Sequence, residues 1–301
     1  MNEGRERVGN SHELSSPSLL VSRSELSLFK SAAMPVIGSL LLTAAIHQLS
    51  CSSISKKVWS TSDSCPANSD GNDEQLHFLS GRTVGLILLS YLVILLSARS
   101  ITLGLFFAGE ILWGCNFALL LAGIGMWTNC AFTVGTAICI VAVDQVCWYF
   151  DVVGLMLTGD FPVGVARYMA SPKTTWVHFV TGTHHLWFMP VSIAWLRVHH
   201  RGIPTICYWG SVAVTPLITI MARVMTPYGV KSDIRNGAKK ESSVMILNIN
   251  MCYAFVDDVA IPALHFFDHR PPYLYLPYLF LVFNFVINVV PVALLITMSR
   301  Y

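Results

Sequence analysis

The chain has 301 residues, of which 54% are apolar and only 12% charged, about half the roughly 25% carried by soluble globular domains. So few charges exclude a water-soluble domain as the main body of the protein. The net charge is +2 with no long basic run, which excludes duplex binding, so nucleic acid is not an expected partner.

Residues 1–30 mix charge, Ser and a few leucines without a sustained period, and read as a disordered cytoplasmic tail. The segment is too long and mixed for the basic region of a cleaved signal peptide, so the apolar stretch behind it is read as a first span. Residues 31–301 then form a single transmembrane domain. About 20 apolar residues cross ~30 Å of hydrocarbon at 1.5 Å per residue. That requirement places spans at 32–50, 83–98, 101–127, 131–156, 174–197, 205–226 and 273–297. The expected fold class is therefore all-α, a polytopic bundle of about seven spans.

Arg99 and Ser100 alone separate the second span from the third, which predicts a tight helical hairpin there. Residues 244–267 are apolar on average but hold Asn248, Asn250, Asp257 and Asp258. That reads as a re-entrant or interfacial segment buried against protein; the eight-span alternative counts it as a further crossing.

Orientation follows from Lys and Arg. The side holding Arg5, Arg99, Arg167, Arg223, Lys239 and their neighbours collects thirteen, and the side holding Lys56, Arg82, Arg197 and Arg300 collects six. The N-terminus is thus expected in the cytoplasm, in the endoplasmic reticulum or plasma membrane. The 51–82 loop then lies outside or in the lumen, where Cys51 and Cys65 are permitted to pair. The other six cysteines fall in or beside apolar segments and read as small buried hydrophobes.

An ionisable group inside a span costs about 2.5–3.5 kcal/mol on insertion scales, which makes each one a functional candidate. Glu110 lies in LFFAGEILWGCN, Asp144 and Asp151 in AICIVAVDQVCWYFDVVG, and His178, His184 and His185 in WVHFVTGTHHLWFMP. At 100° per residue, Asp144, Trp148 and Asp151 share one stripe, and so do His178, Gly182 and His185. His184 lies about 100° round from His185 and ranks below it. Each stripe spans about 10 Å of depth, and the expected orientation sets the two at the same level. Ahead of the last span, ALHFFDHRPP puts His265 and His269 four apart, a metal-ligand spacing if helical. Pro190, Pro216 and Pro291 are expected to kink their helices.

The fragments THHLWFMPVSIAWL and ILNINMCYAF resemble uncharacterised polytopic membrane proteins of bacterial type. In span count and HxxxH the chain also resembles, at the level of architecture, the seven-span hydrolases that include alkaline ceramidases and progestin/adipoQ receptors. It departs from them because His265 and His269 precede the last span and no companion Ser or HxxxD motif is present.

The residues themselves predict a membrane-embedded enzyme acting on a lipid or other hydrophobic substrate. Asp144, Asp151 and Glu110 are its expected acid–base groups, and His178, His185, His265 and His269 its expected ligands to a divalent metal such as zinc. A proton-coupled transporter or channel would use the same groups as a relay. A structural or assembly protein would use them only as hydrogen bonds between helices.

Overall fold

The computed structural model describes residues 20–21, 32–51, 81–170, 174–236, 239–255, 265–268 and 270–300. The rest of the 1–30 tail, most of the 51–82 loop with Cys65, and Asp257, Asp258 and His269 lie outside the described residues. The expected Cys51–Cys65 pairing falls there too.

The helices are α1 (Met34–Cys51), α2 (Gly81–Leu103), α3 (Gly114–Trp127), α4 (Ala131–Thr158), α5 (Trp176–Gly182), α6 (His184–His200), α7 (Ile206–Met225), α8 (Pro272–Leu281) and α9 (Val289–Arg300). A 3-10 segment, Leu105–Leu112, precedes α3, and a π-helical segment, Val282–Ile287, follows α8. With no water in a bilayer core, helices that bond their own backbone are the economical solution for such a chain. Among the described residues, α2, α4 and α7 are long and apolar enough to cross a membrane; two bent pairs raise the number to five. The chain is thus a helical protein with three to five candidate spans, a coarser count than the seven expected.

Burial explains the arrangement. In α2 the buried positions are Gly85, Leu88, Leu92, Leu95 and Arg99, a stripe at three- and four-residue spacing. Ile87, Val93, Ile94 and Ile101 on its other faces are exposed, as lipid-facing groups should be. α4 is the centre of the bundle and packs against α3, α6 and α7. It is buried almost all round from Ala131 to Val143, and thereafter mainly at Gln145, Trp148, Asp151 and Gly154. Small residues bring backbones close: a Cβ on Gly85 of α2 would come within 2.5 Å of the Gly123 carbonyl oxygen of α3.

Four expectations change at this level. The tight turn predicted at Arg99–Ser100 is absent, because α2 runs on through both residues to Leu103. The chain breaks instead at Gly104, whose φ of 113° is open to glycine and strained for other residues. The expected span 174–197 is divided at Thr183 into α5 and α6. The 3-10 segment and α3, expected as one helix, meet at a 69° bend. Of the three prolines, α6 and α7 continue through Pro190 and Pro216. A 41° bend does precede α9. Pro291 accounts for it, since it cannot donate to the carbonyl of Ile287 four residues back.

Between α7 and α8 the chain leaves the helical pattern. Strands β2 (Gly229–Asn236) and β3 (Lys239–Ile246) pair antiparallel, Gly229 opposite Ile246, and β1 (Leu20–Val21) runs parallel beside β2. Residues 247–255 are then mostly buried in short turns, including a 3-10 turn at Ile249–Met251, with Asn248, Asn250 and Met251 at positive φ.

Candidate functional site

The site is built around two breaks in helices. Asn250 pins the first: its Oδ1 accepts from the Gly114 amide at 2.7 Å and its Nδ2 donates to the Leu112 carbonyl. Asn116 Nδ2 donates to the Glu110 carbonyl at 2.8 Å. These bonds satisfy backbone groups that the 69° bend would leave bare. They also set Cys115 in the first turn of α3.

The second break, at Thr183, exposes a carbonyl to several donors. Thr181 O accepts from the Tyr91 hydroxyl at 3.0 Å and lies 2.8 Å from His184 Nδ1. A carbonyl can only accept, so Nδ1 of His184 carries the proton and Nε2 of the neutral ring keeps its lone pair. That Nε2 is buried and has no hydrogen-bond partner among the described residues.

His185 follows directly. Its ring lies 4.3 Å from that of His184 and is stacked on Trp148 at 5.8 Å. Its Nδ1 is 2.7 Å from Gln145 Nε2 and 3.6 Å from Asp144 Oδ2. Cys115 Sγ and one ring nitrogen of each of His184 and His185 all lie within 4.8 Å of one another. Both histidines are buried, while Cys115 is half-buried. Tyr168 closes in beside them, its hydroxyl 3.1 Å from where a Gly182 Cβ would stand; burial pushes this phenol above its ordinary range.

An ionic network lies next to this cluster. Arg99 Nη1 bonds Glu110 Oε2 at 2.7 Å and Arg99 Nε donates to Thr181 Oγ1 at 2.8 Å. His178 Nε2 stands 3.8 Å from Glu110 Oε1.

The structure therefore distributes the expected site residues. Asp144 and His185 are brought together, and Glu110 joins His178. Asp151 is set apart from Asp144 in role: its carboxylate accepts from the amides of Val163 (2.7 Å), Gly164 (3.0 Å) and Ala166 (2.8 Å), folding the loop after α4. His265 does not join His178 and His185, because its Nδ1 lies 2.6 Å from Asp268 Oδ2, a carboxylate that also caps the Phe255 amide. Its expected partner His269 is outside the described residues. The residues that sequence reasoning passed over are Cys115, read as a small hydrophobe, Arg99, Gln145, and His184, ranked below its neighbour. Cys115 follows Glu110 by five positions in an apolar run, and that proximity was the available signal.

No protein-family model, curated protein or solved structure matches the chain. What the fold and site define is a class: a helical protein with three to five candidate membrane spans and, among the described residues, a half-buried thiol clustered with two buried imidazoles.

Proposed function

We propose that the protein is a membrane-embedded acyl-transfer enzyme acting on the ester of a lipid or similarly hydrophobic molecule, with Cys115 as nucleophile and His184 as base. The observation that carries this reading is the unpartnered, buried Nε2 of His184 in a cluster with a half-buried thiol. A buried acceptor left bare is costly. A thiol beside an oriented imidazole is the arrangement that activates a cysteine.

The sequence of events balances as follows. The Cys115 thiol gives its proton to His184 Nε2, and the sulfur attacks the ester carbonyl carbon. The C–O bond of the tetrahedral species breaks, His184 returns the proton to the leaving alkoxide, and a thioester on Cys115 results. Water or a second alcohol then attacks the thioester carbonyl, gives its proton to His184, and expels the sulfur, which takes that proton back. A hydrophobic substrate fits the surroundings, since the outer faces of α2 and α4 are apolar and exposed.

Commitment of two of the three carboxylates to structural partners favours this reading over a proton relay. Glu110 is engaged by Arg99, and Asp151 is engaged by three backbone amides.

Incubation of the protein in nanodiscs with a radiolabelled long-chain p-nitrophenyl ester is the test. A hydroxylamine-sensitive label should form, disappear in Cys115→Ala, and form about 10²–10⁴-fold more slowly in His184→Ala. Label surviving in Cys115→Ala would overturn the proposal. So would stoichiometric zinc in the purified protein that is released on alkylating Cys115, because a thiol and two imidazoles are also a zinc donor set.

A further inference from the structure

Resting on that reading, we propose that His185 is a second catalytic residue, the hydrogen-bond donor to the oxyanion, and that Gln145 is the positioning residue that fixes its tautomer. Two adjacent histidines with rings 4.3 Å apart have no reason to be alike, and their partners make them opposites. His184 faces a carbonyl through Nδ1, so its Nε2 is bare. His185 faces the amide nitrogen of Gln145 through Nδ1 at 2.7 Å. An amide NH₂ can only donate, so Nδ1 of His185 accepts and the ring proton sits on Nε2. Asp144 Oδ2, at 3.6 Å from the same Nδ1, is beyond hydrogen-bond range and does not displace the amide.

The ring of His185 is also held against rotation. Trp148 stacks on it at an interplanar angle of 19°, and the His184 ring packs against it at 4.3 Å. Nδ1 is occupied, so the N–H of Nε2 is the group left to act. Gln145, itself fully buried, keeps its Oε1 without a partner among the described residues. Acyl transfer needs both functions at one carbon: a base for the attacking group, and a preorganised donor for the oxygen that gains charge. The two tautomers supply one each.

The test joins a spectroscopic readout to a kinetic one. Nitrogen-15 NMR of histidine-labelled protein in liposomes should show His184 protonated at Nδ1 and His185 at Nε2. Gln145→Glu, which replaces the donor by an acceptor, should move the His185 proton to Nδ1. The rate of Cys115 labelling by the p-nitrophenyl ester should fall about 10²–10³-fold in His185→Ala. His185→Gln, whose amide N–H takes the place of Nε2–H, should recover at least about tenfold of that loss, roughly 1.4 kcal/mol of barrier. A wild-type His185 protonated at Nδ1, or equal labelling rates in His185→Ala and wild type, would overturn the inference while leaving the acyl-transfer reading intact. Absence of any label on wild-type Cys115 would instead strike that reading, and the proton positions would still be measured.

Discussion

Arg99 shows how a single side chain changes meaning between sequence and structure. In the sequence it is a cation between two apolar runs, which reads as a turn. In the fold it is buried in α2 and ion-paired at 2.7 Å to Glu110, itself buried in the 3-10 segment. Removing one partner leaves the other as an uncompensated buried charge, at a cost of about 3–5 kcal/mol, whereas replacing both by apolar residues of similar volume is often close to neutral. Arg99→Met should therefore lose stability strongly in a detergent melt, and the double variant Arg99→Met/Glu110→Leu should recover most of it. A double variant as unstable as the single one would show that the bond to Thr181, and not the ion pair, holds this corner. The pairing was legible in part: an acid in the run LFFAGEIL calls for a partner, but nothing in the sequence said that the partner was the residue eleven positions earlier.

At the scale of elements, the decisive features are the breaks. The stripes expected in spans four and five assume straight, unbroken helices. The helix α4 is unbroken, but its buried positions there are Gln145, Trp148 and Asp151, while Asp144 of the expected stripe is only half-buried. Across residues 174–197 the assumption fails at Thr183, after which a new helix starts at His184, so that His178 and His185 of the expected stripe lie on different helices. Periodicity could not show this, because hydrogen bonding at a helix break depends on distant residues such as Tyr91 and Arg99.

Asp151 belongs to this scale too. Its carboxylate closes the loop that returns the chain from α4 toward α5, and Tyr168 reaches the site from that loop. Asp151→Ala leaves three backbone amides without their acceptor, each worth about 1.5–3 kcal/mol when bonded to a charged group. The expected outcome is low yield and a melting temperature lowered by many degrees, with a Cys115 labelling rate per folded molecule near that of wild type. A normally stable Asp151→Ala protein with no labelling would instead place the carboxylate in the chemistry.

For the whole molecule, one end of the bundle is tied together by side chains. His200 Nε2 donates to Asn129 Oδ1 at 2.9 Å, Arg197 reaches the Met298 carbonyl, and Arg300 bonds Thr205 Oγ1 at 2.9 Å. The turn after α3, the turn after α6 and the end of α9 therefore share one end. The positive-charge asymmetry of the sequence predicts these same three on the outer side, with the loop after α4 inside. Single cysteines at Arg201→Cys and Asp160→Cys should accordingly react with an impermeant maleimide from opposite faces of a sealed vesicle, Asp160→Cys from the cytoplasmic one. Reaction of both from one face would contradict the arrangement.

The sequence by itself determined the helical class with apolar segments of spanning length, the central apolar run of α4 and the polar groups that had to be accounted for. It did so because a bilayer penalises exposed backbone and charge residue by residue. Only the tertiary structure decided which of those groups meet. Pairing of Arg99 with Glu110, saturation of Asp151 by amides, and the gathering of Cys115, His184 and His185 all depend on breaks at Gly104, Trp113 and Thr183. Where a helix breaks is settled by long-range hydrogen bonds such as Asn250 to Gly114, 136 residues apart, and local periodicity carries no record of these.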